Sequence, residues 1–230
     1  MRRWGPTFLA AVAVRIAYWV VVQPHWIPDS DADQYDKIAR SLANGTGYGL
    51  QFPQIVHHPT AFRPPLLPLL LTPGHWLFGE ALWPGRLLSV ILGSTVVVLA
   101  GVLAARIGGR RAGYLAALVV MFSPPLLAND TITLTEPLAL LLGLAAILLL
   151  DEGRYLQAGF VTGLLLLTRP NGYLVVAILA LWVWRKLGPR AAVALVAVAA
   201  CVLVPWLVRN RVQLGTWTLN TSDGFTCLLY

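Results

Sequence analysis

The sequence predicts an all-α polytopic membrane protein, a bundle of transmembrane helices with one amphipathic helix in its first outer loop. Three observations lead there. Hydrophobic residues fill 57% of the 230 positions and charged ones only 12%, about half the charge of an ordinary soluble domain. Apolar runs long enough to cross a bilayer, roughly 20 residues, recur along the chain. Lys and Arg stand in short groups between those runs, the pattern of basic loops on the cytoplasmic side. The formal charge of +7 is therefore read as membrane topology, with no nucleic acid among the expected partners.

The runs lie at about 7–22, 65–79, 82–105, 112–128, 134–150, 158–184 and 191–208. The first follows Arg2 and Arg3, carries Arg15 and has no small-x-small cleavage site after it, so it reads as a retained span rather than a signal peptide. With those arginines inside, residues 29–64 lie outside. "RIGGRR" (106–111) is the next inner loop, which leaves one crossing between 64 and 106. The run 82–105 makes it, and the proline-rich 65–79 is a broken or re-entrant segment. The run 158–184 contains "TRPN" at 168–171, and proline removes a backbone donor and disfavours helix before it. Two shorter helices, out and back, keep "RKLGPR" (185–190) inside and leave 209–230 outside. Cys201 and Cys227 form neither a disulfide framework nor a metal spacing.

Four aspartates crowd positions 29–36 of a chain otherwise poor in charge. From Asp31 to Asn44, Tyr35, Ile38, Ala39 and Leu42 recur at helical spacing and make one apolar stripe. Ser30 followed by Asp33 resembles a capping box, and Gly45 supplies a stop. Such a helix lies on the membrane surface. Asp33 and Asp36 are assigned to its polar face, each with a basic residue four positions on (Lys37 and Arg40), as solvated pairs worth about 0.2–0.5 kcal/mol. Asp29 precedes the helix and favours its N-terminus. Asp31 shares the stripe of Tyr35 and Ile38, so it is expected to face the apolar side. Ionisable groups at a membrane pair or serve function, and Asp31, Arg63, Glu136, Arg169 and Arg209 all thread to one outer pole. That grouping outweighs five separate side chains snorkelling to the headgroups.

"DADQYDKIARSLANGTGY", "TAFRPPLLPLLL", "LFGEALWPGRLLSVILG", "SPPLLANDTITLTEPLALLL", "GLLLLTRPNGYLV" and "PWLVRNRVQLGTWTLNTSDGF" resemble, in order, the start of the GT-C fold membrane glycosyltransferases. The branch they resemble is the bacterial one related to protein O-mannosyltransferase and the lipid A aminoarabinose transferase. The resemblance implies a polyprenyl-phosphate sugar donor, a lipid, glycan or protein acceptor, and a multi-pass position in a bacterial plasma membrane with the active site outside. It makes Asp31 the catalytic residue and Arg63 a ligand of the donor phosphate. Arg169 and Arg209 join that phosphate set, and Tyr35, Glu136 and Asn210 line the site. Family members continue through further spans and an outer domain, so residues 1–230 are expected to be an N-terminal transmembrane portion, with a first outer loop at about 23–64 and a last outer segment at 209–230.

The chemistry is a displacement at the anomeric carbon. It needs a base for the acceptor hydroxyl and positive charge for the departing phosphate, which preorganised arginines supply in a water-poor site. No strand-glycine-helix fingerprint for a nucleotide is present; "GTGYG" (45–49) follows a helix. No cofactor is assigned, though a divalent metal stays open; His57 and His58 read as plain loop residues. Two rival readings are a lipid-sugar flippase or transporter, whose interrupted helices would serve a mid-membrane site, and a truncated, inactive paralogue.

Overall fold

The computed structural model describes residues 4–52 and 55–221, with side chains from 51 to 57 left out of the description. Arg2, Arg3 and the end of the expected outer segment 209–230, including Ser222 and Cys227, lie outside the described residues. The chain is an all-α polytopic membrane protein. Helix α1 (Gly5–Val22) opens with Pro6 in its first turn, where a missing N–H costs nothing. Helix α2 spans Ser30–Ala43, followed by a short antiparallel hairpin, β1 (Gly49–Phe52) and β2 (Ile55–Pro59). Then come α3 (Leu66–Phe78), α4 (Trp83–Met121), α5 (Pro124–Asn129), α6 (Glu136–Asp151), α7 (Tyr155–Leu166), a 3₁₀ turn at Pro170–Gly172, α8 (Tyr173–Leu187) and α9 (Pro189–Leu214). The helices α1, α4 and α9 are long and apolar enough to cross a membrane.

The breaks have local causes. Helix α4 folds back at Gly109 (φ 77°), inside the expected basic loop. Only a residue without Cβ takes that backbone at little cost. Thr168–Arg169–Pro170 separates α7 from α8, and Gly188 (φ 91°) with Pro189 turns α8 into α9. The chain reverses at each break, so helix ends gather at two poles of the bundle. At the first pole the Arg86 guanidinium, at the start of α4, donates to the Thr131 carbonyl and to the Gln23 carbonyl, each at 2.8 Å. At the second pole Arg106 donates to Asp151 at 2.7 Å and to Glu152 at 2.5 Å, tying the fold-back of α4 to the α6–α7 turn.

Small residues let the helices approach, as they must where lipid gives no hydrophobic drive for association. Gly159 and Gly163, one turn apart on α7, face α9: a Cβ at Gly159 would stand 2.5 Å from the Leu195 carbonyl oxygen, and one at Gly163 would stand 2.8 Å from that of Ala199. Large apolar side chains such as Leu115, Val119, Ile178 and Val193 are exposed around the outside, the surface that hydrocarbon covers.

Helix α3 does not cross the bundle. It is a continuous 13-residue helix through Pro73, and it lies along α2. Its start is bonded to the α7–α8 break, Leu66 N donating to the Leu167 carbonyl at 3.0 Å. Its end meets α2 again through His75 and Glu80. Tyr35 and Ala39 of α2 pack with Leu67, Leu71, Leu138, Leu142 and Leu165, and Ile38 packs with Tyr48, Leu50, Ala61 and Trp206. The stripe thus rests on the helix ends of one pole.

Two local expectations are corrected here, and one element is new. The capping box of Ser30 and Asp33 is absent: Asp29 holds the N-cap position without a side-chain cap, and Ser30 begins the helix at φ 47°. Asp36 is not on a solvated face but is buried, because α3 covers that side of α2. The hairpin had no counterpart in the helical reading. Its register pairs Gly49 with Pro59 and Leu50 with His58.

Candidate functional site

Helix α2 brings Asp31, Gln34 and Tyr35 onto one face, at spacings of three and four. The loop before α3 lays Arg63 against that face. Its Nε donates to Gln34 Oε1 at 2.7 Å, and its Nη2 donates to Asp31 in a direct salt bridge. The guanidinium lies 5.5 Å from the Tyr35 ring centroid and 5.0 Å from that of Phe62. Asp31 is not sunk in the apolar stripe as expected. Its side chain is 49% exposed while that of Arg63 is only 16% exposed, so the carboxylate is half open at the surface and the arginine is held behind it.

Tyr35 joins this pair to a second one. Burial raises its phenol above the ordinary value, partly offset by Arg63; Thr135 lies within hydrogen-bonding reach, and the charges of Asp31 and Arg169 both act on the ring oxygen. Thr135 occupies the N-cap position of α6 without a side-chain capping bond, and Glu136 occupies the first turn, a favourable place for an anion. The Arg169 Nη1, from the α7–α8 break, donates to Glu136 Oε1 at 3.1 Å. The other carboxylate oxygen, Oε2, is buried with no hydrogen-bond partner. A buried acceptor without a donor is costly, so Glu136 Oε2 stands out as an unsatisfied acceptor on this surface.

Arg209 takes a different place. Its Nη2 donates to the Tyr48 carbonyl at 2.5 Å, and its Nη1 to the Thr60 carbonyl at 2.6 Å and to Asn210 Oδ1 at 2.9 Å. It stacks on Tyr48 and Trp206, and it closes the neck of the hairpin from α9. The Tyr48 hydroxyl in turn donates to the Arg63 carbonyl at 2.9 Å and the Pro64 carbonyl at 3.2 Å. Asn210 is buried, its Nδ2 donating to the Thr218 carbonyl at 2.8 Å. Asp31, Arg63, Tyr35, Glu136 and Arg169 therefore form one polar surface. Arg209 and Asn210 sit beside it and hold the loop that carries Arg63.

Sequence reasoning missed Gln34, Thr135 and Tyr48. Gln34 was legible, since it lies three residues after Asp31 on the same helical face. Tyr48 was not, because its role depends on a hairpin fold with no strong turn signal. Among the described residues no three His, Cys, Asp or Glu side chains converge as metal ligands. His58 is exposed at the hairpin, and the His57 side chain is outside the description.

A family model described as dolichyl-phosphate-mannose-protein mannosyltransferase matches residues 62–208. That span, nearly two thirds of the chain, includes Arg63, Glu136 and Arg169 and stops short of Asp31, Tyr35, Arg209 and Asn210. No curated protein and no solved structure matches.

Proposed function

Because the chain belongs to the dolichyl-phosphate-mannose-protein mannosyltransferase family of membrane glycosyltransferases, we propose that it transfers a sugar from a polyprenyl-phosphate donor to an acceptor hydroxyl at the pole that carries Asp31. The observation that carries this reading is the pairing of Asp31 with Arg63 and of Glu136 with Arg169 around Tyr35. One half-exposed carboxylate beside two arginines is the minimum set for the displacement.

In the resting protein Asp31 and Arg63 satisfy each other. A donor phosphate competes for Arg63 and Arg169, with bidentate charge-assisted bonds as the reward. Arg63 then turns from Asp31 to the phosphate, and the carboxylate is released to act as base. The acceptor oxygen attacks the anomeric carbon and gives its proton to Asp31. The bond from that carbon to the phosphate oxygen breaks, and its electron pair leaves on polyprenyl phosphate. The arginines stabilise this growing charge where water is scarce, a contribution of several kcal/mol. Glu136 Oε2 accepts a hydrogen bond from a sugar or acceptor hydroxyl, and Arg209 keeps the Arg63 loop in place. No step needs a general acid, since a phosphate leaves as a stable anion.

The second pole carries Arg106, Arg110, Arg111, Arg185, Lys186 and Arg190 against Asp151 and Glu152. By the positive-inside rule this pole is the cytoplasmic one, which supports a site on the outer face of the membrane. The decisive experiment is Asp31→Asn, measured for donor binding and for release of polyprenyl phosphate. Binding retained with turnover lost is the expected result. Full turnover would remove Asp31 from the chemistry.

A further inference from the structure

Asp36 is the carboxylate that the transfer chemistry leaves unused. It lies on α2, five residues after Asp31, and is 5% exposed. Its Oδ2 accepts a hydrogen bond from Arg40 Nε at 2.6 Å. Its Oδ1 stands 2.9 Å from Nε2 of His75 on α3, whose side chain is 7% exposed. On the other side of that ring, Nδ1 stands 2.8 Å from the Gly79 carbonyl oxygen.

Both ring nitrogens therefore face acceptors. A carbonyl cannot donate, and a carboxylate ion-paired with Arg40 has no proton to give. Neutral imidazole carries one N–H and can satisfy only one of these partners, whereas the imidazolium satisfies both. The charged groups around the ring are Asp36 and Arg40 on α2, with Glu80 after α3 reached through Arg40. The hydrogen bond with Asp36 raises the His75 pKa above its ordinary 6.5 and outweighs both the burial and the Arg40 charge that oppose it.

This pair matters because of what happens at the other end of α2. There the helix is tethered by Asp31 to Arg63, and the proposed mechanism gives that arginine to the donor phosphate. Once it leaves, the buried charged tether between α2 and α3 is Asp36 with His75. We propose that His75 is a positioning residue for transfer: as an imidazolium it locks α2 onto α3, and the lock holds Asp31 in place while Arg63 engages the donor. The lock is complete below the ordinary imidazole pKa and is lost as pH rises through the raised one. Transfer then acquires an alkaline limb that belongs to His75. This inference rests on the transfer reading above.

The test uses the full chain in lipid nanodiscs with a spin label on Lys37→Cys, an exposed position of α2, in a background without its native cysteines. Label mobility is expected to rise with pH along the same curve as the His75 ring titration followed by NMR. His75→Gln should be mobile at every pH and slow release of polyprenyl phosphate from polyprenyl-phosphate mannose about tenfold, the worth of one charge-assisted hydrogen bond. His75→Lys, a cation that does not titrate in this range, should restore a locked, pH-independent label. Asp36→Asn should move the ring titration to lower pH. A pH-dependent mobility that survives unchanged in His75→Gln overturns the lock. A label that follows His75 in a protein that releases no polyprenyl phosphate at any pH overturns the transfer reading instead.

Discussion

Arg15 and Asp130, 115 positions apart, form a buried ion pair in which both Nε and Nη2 of the arginine reach Asp130 Oδ2, at 2.8 and 2.6 Å. Arg15 is fully buried and Asp130 is 2% exposed. The pair pins α1 to the connection before α6. It fits only because position 93 of α4 is glycine: a Cβ there would stand 2.2 Å from the Asp130 carboxyl group. Arg15→Ala should therefore cost about 3–5 kcal/mol, because it leaves a buried carboxylate unpaired. Thermal unfolding in detergent checks this. Gly93→Ala should lower Tm as well, while the double change Arg15→Leu with Asp130→Leu should lose less than Arg15→Ala alone.

Replacing the proposed base should separate chemistry from binding. Asp31→Asn should cut turnover by about 10²–10⁴-fold with donor affinity largely kept. Asp33→Asn should cost little, since Asp33 and Lys37 form an exposed pair. Single-turnover rates beside equilibrium donor binding check both variants.

The arginines should differ in kind. Arg63→Gln and Arg169→Gln should weaken binding of a polyprenyl-phosphate sugar while leaving binding of the bare prenol nearly unchanged. Arg209→Gln should instead loosen the hairpin, since it removes the donors of the Tyr48 and Thr60 carbonyls. Faster proteolytic cleavage in the 49–59 hairpin reads that out. Equal loss of both lipids in Arg63→Gln would restrict Arg63 to shaping the loop.

Topology is tested by single cysteines in a background without native ones. Asn44→Cys, after α2, should react with an impermeant thiol reagent in intact cells, and Arg190→Cys, at the start of α9, should react only after lysis. The reverse pattern would place the Asp31 pole in the cytoplasm.

Apolar content and the spacing of basic loops were enough to read a polytopic helical protein, the break at 168–171 and the common pole of Asp31, Arg63, Glu136 and Arg169. These follow from the solvent alone: a bilayer demands long apolar helices, and it prices charge by depth, so one dimension of position is written along the chain. Rotation about each helix and the choice of neighbours are not priced that way. Asp36 has the same local pattern as Asp33, each with a cation four residues on, yet α3 buries one and leaves the other in water. Arg209 shares a pole with Arg63 but spends its donors on the hairpin neck. Gln34, Tyr48 and Thr135 gain their partners, and His75 meets Asp36, only when separate segments pack. Sequence determined which charged groups share a pole; packing decided which of them touch, because a hydrogen bond is short and directional while hydropathy is neither.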